Sequence, residues 1–171
     1  PIAIHTENCF RYSALTVDNI TAKKSPREMA IRLIYAGMRD INLLADLTNY
    51  VMLDLGLPMH AFDNKIVDGI NVIEADNNTV MLTLEGEEHK LPENAVVISD
   101  KNKEPVAIAG IKGGLKSGIS DDTNSVLFEA AVFDCQAIRK TSRGIGLITD
   151  ASQRYEKSLD PELTEKAIAR I

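Results

Sequence analysis

The spacing of hydrophobic positions predicts a helical beginning, a strand-rich middle and a helical end. Residues 10–17 are rich in strand-forming residues and predict the first strand. Ser25 followed by Pro26 predicts a helix start capped by the serine hydroxyl, and Gly37 predicts the end of that helix. Apolar residues at three-to-four spacing then predict a second helix over 40–55.

The middle of the chain consists of short β-like runs separated by turn-rich clusters, which indicates a largely antiparallel sheet. The predicted strands are 65–75, 79–84, 89–91, 95–99, 105–109 and 125–133. Helices are predicted after them at 134–143, at 150–158 and from Asp160 onward. Because helices and strands are grouped rather than alternating, the predicted fold class is α+β. Its largely antiparallel or mixed sheet has an N-terminal helix pair and C-terminal helices.

Length and charge limit the kinds of protein this chain can be. Its 171 residues suffice for one module over 1–171, with a possible junction between two lobes near residues 58–64. The net charge of −6, from 19 basic and 25 acidic residues, disfavours nonspecific wrapping of duplex nucleic acid. The chain starts with proline and ends within a helical pattern, so we expect it to be a domain of a longer polypeptide.

Several common functional signatures are missing. Cys9 and Cys135 are too far apart in sequence to suggest a disulfide framework or a zinc motif. The three histidines are not closely spaced, so no metal site is predicted. Neither a membrane-spanning apolar run nor a secretory leader is evident, and we expect a cytoplasmic protein with no membrane partner.

Glu129 is the only charged residue in the apolar run 126–133. One interpretation is an outward-facing glutamate on a half-exposed strand. The other is a buried carboxylate retained for binding, because burying a carboxylate without a partner is costly.

Other candidate residues are open to two interpretations each. Gly110 and Gly113 belong to a glycine cluster that fits either a turn with positive φ or a loop whose backbone approaches a ligand closely. His60 is expected in a loop after a helix stop, where a histidine is usually structural or exposed. Thr48 and Asn49 fall within a predicted helix although neither is a favoured helix former, so their side chains either line a cleft or face water.

Four runs of sequence carry a family resemblance. They are DLTNYVMLDLGLPMHAFD at 46–63, AIAGIKGG at 107–114, VLFEAAVFD at 126–134 and GLITDASQRYE at 146–156. In order and spacing they resemble the B3/B4 module of bacterial phenylalanyl-tRNA synthetase β subunits, and the resemblance covers roughly residues 9–171. The module hosts the editing site of that subunit. Ile148 departs from the family pattern, which often has a basic residue there, and this implies a less positive rim.

The resemblance implies an ester hydrolase that removes tyrosine wrongly attached to tRNA(Phe), as a fragment of phenylalanine–tRNA ligase. Glu129 would accept a hydrogen bond from the tyrosine hydroxyl. No serine or cysteine nucleophile with a paired base is evident, so a positioned water is the expected attacking group. The implied catalytic residues are His60, Thr149 and Asn49, and the implied substrate-binding residues are Glu129, Thr48, Ala61, Gly110, Gly113 and Ala151.

The resemblance also implies partners. These are the 3′ end of tRNA(Phe), the synthetase α subunit and the rest of the β subunit, in an α2β2 heterotetramer. No cofactor is expected in this domain, whereas ATP and magnesium are expected for the parent enzyme. The alternative hypothesis is a catalytically inactive structural or tRNA-positioning module of the same synthetase, and a third is a free-standing binding protein.

Overall fold

The computed structural model describes residues 1–21 and 23–171 and confirms the α+β class. The strands are β1 (Ile2–Ile4), β2 (Cys9–Asp18), β3 (Met59–Asp63), β4 (Ile70–Glu74), β5 (Val80–Leu82), β6 (Glu88–Lys90), β7 (Val96–Ser99), β8 (Pro105–Ile108), β9 (Lys112–Gly113) and β10 (Ser125–Phe133). The helices are α1 (Arg27–Tyr35), α2 (Leu43–Leu55), α3 (Cys135–Gly144), α4 (Asp150–Tyr155) and α5 (Leu163–Arg170), with a 3-10 turn at Leu115–Ser117.

The strands form a five-stranded sheet, a three-stranded sheet and a hairpin. Their orders are β1-β4-β7-β8-β9, β2-β10-β3 and β5-β6. In the described part of the chain, β1 and β4 pair in parallel and every other pair of neighbours is antiparallel. This arrangement confirms the predicted largely antiparallel or mixed sheet.

β10 is the central strand of the three-stranded sheet, and every one of its residues is buried. Its apolar sequence suits this position, because a strand covered on both faces has no side that needs polar residues. β10 pairs with β2 on one side and β3 on the other. Residues of the five-stranded sheet, such as Val97 and Ile108, share one hydrophobic cluster with Ala131 and Phe133 of β10.

The predicted starts of the first two helices are wrong in detail. Ser25 does not cap α1, because its hydroxyl instead donates to the buried carboxylate of Asp46. Pro26 takes the N-cap position of α1 without a side-chain hydrogen bond. The second helix begins at Leu43 rather than at residue 40, since Asn42 is its cap and accepts from the Ala45 N–H at 3.0 Å.

Three short strands, β1, β3 and β9, were not predicted. The most important is β3, because His60 lies on it rather than in a loop. Five residues of β3 pair with β10, and this long-range pairing leaves little local signal. The predicted strand 65–75 is shorter than expected and is confined to β4. The possible junction near residues 58–64 stays a prediction, and β3 occupies most of that range.

Among the described helices, none is both long enough and apolar enough to span a membrane.

Candidate active site

A cavity of about 760 Å³ lies between α2, β3, β10, the turn from β8 to β9 and the start of α4. All nine predicted site residues line it. They are Thr48, Asn49, His60, Ala61, Gly110, Gly113, Glu129, Thr149 and Ala151. The fold therefore gathers residues from four distant sequence runs around a single cavity.

Glu129 is the buried carboxylate of the second sequence interpretation, with 4% of its surface exposed. Its Oε2 accepts a hydrogen bond of 2.8 Å from the Tyr12 hydroxyl. Its Oε1 has no hydrogen-bond partner within the described residues. Burial raises the pKa of Glu129 to about 7, and the hydrogen bond from Tyr12 opposes that rise. The side chain therefore changes its charge near neutral pH.

Tyr12, which the sequence analysis missed, does not line the cavity but contacts it through Glu129. It lies on β2 directly opposite Ala131, and Ala14 is opposite Glu129. Tyr12 and Glu129 are therefore diagonal neighbours on the same face of the sheet, within reach of a long side chain. Only the register between β2 and β10 reveals this contact, and the strand pattern of residues 10–17 does not supply it.

His60 lies directly opposite Glu129 on the other neighbouring strand. Its Nε2 is enclosed and has no hydrogen-bond partner within the described residues. Its ring meets that of Phe62 edge-on, with 4.4 Å between ring centroids. Burial, and secondarily the positive charge of Lys112, lower the pKa of His60 to about 4. The imidazole is therefore neutral at physiological pH.

The two glycines of the site leave room for protein side chains. A Cβ built on Gly113 would lie 2.5 Å from Cε1 of His60. A Cβ on Gly110 would lie 2.8 Å from Cδ2 of Tyr155, and Gly110 also has a φ of +66°. The positive-φ interpretation thus fits Gly110 and not Gly113. At both positions the absent side chain allows a ring to pack against the backbone.

The threonine hydroxyls of the site are already used within the fold. Thr149 Oγ1 donates to the Ile111 carbonyl at 3.0 Å and accepts from the Ser152 N–H at 3.1 Å, as the N-cap of α4. Thr48 Oγ1 donates to the carbonyl of Ala45 at 2.8 Å. A hydroxyl has one proton to donate, so neither threonine has a donor left for a ligand.

Asn49 differs from these threonines because its side-chain amide forms no hydrogen bond within the described residues. It is half-buried, lines the cavity and offers both a donor and an acceptor. Ala151 lies in the first turn of α4, which Thr149 holds in place, and its small side chain leaves the cavity open on that side.

The rim of the cavity has mixed character. Lys112 forms an ion pair with Glu85, whereas the exposed Arg39 has no ion pair within the described residues. Ile148, with 59% of its surface exposed, contributes an apolar side chain where the resemblance led us to expect a basic one in many relatives. Over the described residues, no cluster of three or more His, Cys, Asp or Glu side chains is arranged to hold a metal.

Comparison with known proteins shows the family to which the chain is similar. A family model for the B3/4 domain matches residues 8–171. Among curated proteins, the phenylalanine–tRNA ligase β subunit of Clostridium acetobutylicum is 42% identical over 171 residues, covering 99% of this chain and 22% of that protein. The corresponding subunit of Aquifex aeolicus is 41% identical over 167 residues, covering 97% of this chain and 21% of that protein. The chain thus spans about a fifth of the length of these relatives.

One solved structure has a similar fold. It is an N-terminal fragment of the phenylalanyl-tRNA synthetase β subunit from Pyrococcus horikoshii, with a TM-score of 0.54 and 12% identity. The match covers 76% of this chain and 43% of the fragment. At this identity the likeness concerns the fold alone.

Proposed function

The chain belongs to the B3/4 domain family, and we propose that it is the editing domain of a phenylalanyl-tRNA synthetase β subunit. In this proposal it hydrolyses the ester bond of tyrosine mischarged onto tRNA(Phe). The observation that carries the proposal is Glu129, a buried carboxylate on the cavity wall with one oxygen bound to Tyr12 and the other without a partner among the described residues.

The physical need for a second site follows from the two amino acids. A synthetic pocket shaped for the phenylalanine ring cannot strongly exclude the same ring with one added hydroxyl. A site that hydrogen-bonds the hydroxyl discriminates better, because phenylalanine would leave a buried polar group unpaired. That penalty is about 1–3 kcal/mol, or roughly 5- to 150-fold in selectivity. Glu129 provides such an acceptor through its Oε1.

The proposed hydrolysis uses water as the nucleophile. The hydroxyls of Thr48 and Thr149 are engaged in the fold. Water would therefore attack the ester carbonyl, breaking the bond to the ribose oxygen and releasing free tyrosine and tRNA. Catalysis would come from orienting the ester and the water, which is a large effect when the geometry is fixed.

The residues nearest this chemistry have distinct proposed roles. Asn49, whose amide has no hydrogen-bond partner among the described residues, would hold the ester carbonyl or the water. His60, neutral and directly opposite Glu129, would help orient the same groups through ring atoms other than the enclosed Nε2, without adding a charge. Thr149 would contribute by fixing α4, and with it Ala151, at the cavity wall. Thr48, Ala61, Gly110 and Gly113 complete the wall.

The wider assembly belongs to the proposal as well. The aminoacyl group would arrive on the 3′ end of tRNA(Phe). With a net charge of −6, the chain would depend on other domains for most of its RNA affinity. The expected partners are the rest of the β subunit and the α subunit, in a cytoplasmic α2β2 enzyme that uses ATP and magnesium at a separate ligase site.

The direct test is the release of tyrosine from tyrosyl-tRNA(Phe), with phenylalanyl-tRNA(Phe) as the control substrate. It is made with this chain and with the reconstituted two-subunit enzyme. We expect tyrosine-selective hydrolysis in the whole enzyme, and weaker hydrolysis by the chain because other domains deliver the RNA. No hydrolysis by either would overturn the proposal and favour the alternative of a structural or tRNA-positioning module.

A further inference from the structure

We propose that Tyr12 is the positioning residue for Glu129: its hydroxyl holds Oε2 so that Oε1 alone accepts a hydrogen bond from the ligand. The inference deepens the proposed function, on which the identity of the ligand as a tyrosyl group rests. The contact between Tyr12 and Glu129 is a property of the fold, so it can be tested separately.

The contact has the geometry of a strong, enclosed hydrogen bond. The 2.8 Å between Tyr12 Oη and Glu129 Oε2 joins two side chains that are 9% and 4% exposed. Within the described residues it is the only hydrogen bond of either side chain's polar end. A phenol has one proton, so this bond uses the donor of Tyr12 fully. Rotation of the carboxylate would break it, and the bond therefore fixes the direction of Oε1.

The same bond also affects the charge of the carboxylate, on which burial has the larger effect. Burial favours the neutral form of Glu129, and the phenol donor favours the ionised form. An ionised carboxylate is a stronger acceptor than a neutral carboxyl group. Loss of the phenol donor would therefore leave more Glu129 protonated at pH 7 and weaken its bond to a ligand hydroxyl.

The other groups around Glu129 do not change charge near neutral pH. From β3, His60 has a pKa lowered to about 4 by burial and Lys112. From β2, Cys9 has a pKa raised to about 12 by burial and by the charge of Glu129. From α4, burial raises the pKa of Tyr155 well above its usual 10, as it does for Tyr12. Lys112, the nearby cation on β9, forms an ion pair with Glu85. A titration near pH 7 in this cluster thus belongs to Glu129.

Tyr12→Phe tests the inference, and Tyr155→Phe is its matched control. Both substitutions remove one buried phenol oxygen; Tyr155 lines the cavity, whereas Tyr12 contacts it through Glu129. The Tyr155 hydroxyl, however, does not donate to Glu129. It donates to the carbonyl of Ala131 at 2.8 Å and lies 3.3 Å from the carbonyl oxygen of Pro58. A loss of stability alone would occur in both variants, whereas a change in Glu129 would occur only in Tyr12→Phe.

The first readout is the titration of the Glu129 side-chain carboxyl carbon by NMR in the 171-residue chain. In Tyr12→Phe we expect its midpoint to rise by about one pH unit or more over the wild type. In Tyr155→Phe it should stay near the wild-type value. An unchanged midpoint in Tyr12→Phe, or equal changes in the two variants, would overturn the inference whatever the protein's function.

The second readout is the affinity for 3′-tyrosylamino-adenosine relative to 3′-phenylalanylamino-adenosine, two non-hydrolysable analogues of the tRNA end. In the wild type this ratio should rise as pH increases through about 7. In Tyr12→Phe the rise should move to higher pH, with a preference about 5- to 10-fold lower at pH 7 that recovers in alkali. If the pH at which the affinity ratio rises does not shift together with the NMR midpoint of Glu129, the positioning role of Tyr12 is overturned.

The two proposals fail in different ways. Suppose the wild type binds both analogues equally, but the Glu129 midpoint still shifts in Tyr12→Phe. That result would overturn the editing function and the role in specificity, while the effect of Tyr12 on the pKa of Glu129 would stand. If Tyr12→Phe does not fold, the contact between Tyr12 and Glu129 can still be tested in the wild type. The Tyr12 Cζ resonance should follow the Glu129 titration with the same midpoint, and a Cζ shift independent of pH from 5 to 9 would contradict the contact.

Discussion

Gly113 and His60 are packed so closely that no side chain fits between them. A Cβ on Gly113 would lie 2.5 Å from Cε1 and 2.7 Å from Nε2 of the imidazole. The glycine thus defines where the ring rests, beside the carboxylate that lies directly opposite it in the sheet.

The first prediction concerns Gly113→Ala. The added methyl group should displace the His60 ring from its enclosed position and let water reach Nε2. Because burial is the main cause of its lowered pKa, the NMR midpoint of His60 should rise from about 4 toward the usual 6.5. Unchanged His60 resonances and midpoint in Gly113→Ala would contradict this account of the glycine.

Gly144→Ala is the control for that experiment. Gly144 ends α3, and a Cβ there would meet only Pro92 Cγ at 3.9 Å, an ordinary contact. The substitution should leave His60 unchanged and alter stability by no more than about 1 kcal/mol, because alanine suits a helix better than glycine.

The second prediction concerns pH and Glu129→Gln. Folding raises the pKa of Glu129 from 4.5 to about 7, so the native state binds more protons than the unfolded state between these values. Its contribution to stability is therefore largest below pH 4.5 and is lost as pH rises through 7. Glutamine carries no charge and still offers Tyr12 an acceptor.

The measurement is the free energy of unfolding of both proteins from pH 4.5 to 8. Relative to the wild type, Glu129→Gln should gain stability with rising pH, by at most about 3 kcal/mol. If the difference in free energy of unfolding between the two proteins does not change with pH, folding does not raise the pKa of Glu129.

The third prediction separates the cap from the chemistry at Thr149. Thr149→Ala removes the N-cap of α4 and should cost about 1 kcal/mol in the free energy of unfolding. Thr149→Ser keeps a hydroxyl for Ile111 and Ser152 and should restore most of that loss, together with the position of Ala151. Equal destabilisation by alanine and serine would show that the hydrogen bonds of the cap are not what Thr149 contributes.

The fourth prediction concerns the volume of the site. Ala151→Trp should fill the cavity beside α4 and abolish release of tyrosine from tyrosyl-tRNA(Phe), because the indole would occupy the space of the substrate ring. Ala36→Trp adds the same volume at an exposed position outside the cavity and should keep the activity. Full activity in Ala151→Trp would place the aminoacyl pocket elsewhere.

Sequence patterns predicted the elements whose signal is local. β10 occupies the predicted range 125–133, because its uninterrupted apolar run is typical of a strand buried on both faces. α3 also follows its predicted range closely, since Asp134 caps it by accepting from the Ala137 N–H at 2.8 Å. The family resemblance added the residues that line the cavity.

The remaining features depend on contacts between distant parts of the chain. β3 forms because it pairs with β10, and without that pairing residues 59–63 predict only a loop. Ser25 suited a helix cap by its local sequence, but the Asp46 carboxylate offered its hydroxyl a buried partner. Tyr12 contacts Glu129 only because of the register of β2 on β10, which residue spacing cannot provide.

The most direct test of the central claim is the ratio of tyrosine to phenylalanine released from the two aminoacylated tRNA(Phe) substrates, in wild type and in Glu129→Ala. It is made in the reconstituted two-subunit enzyme, with the exposed Glu93→Ala as control. We predict a ratio at least about 10-fold lower in Glu129→Ala, because its acceptor for the tyrosine hydroxyl is lost, and an unchanged ratio in the control. Equal ratios in wild type and Glu129→Ala would contradict the assignment of Glu129 as the residue that selects tyrosine.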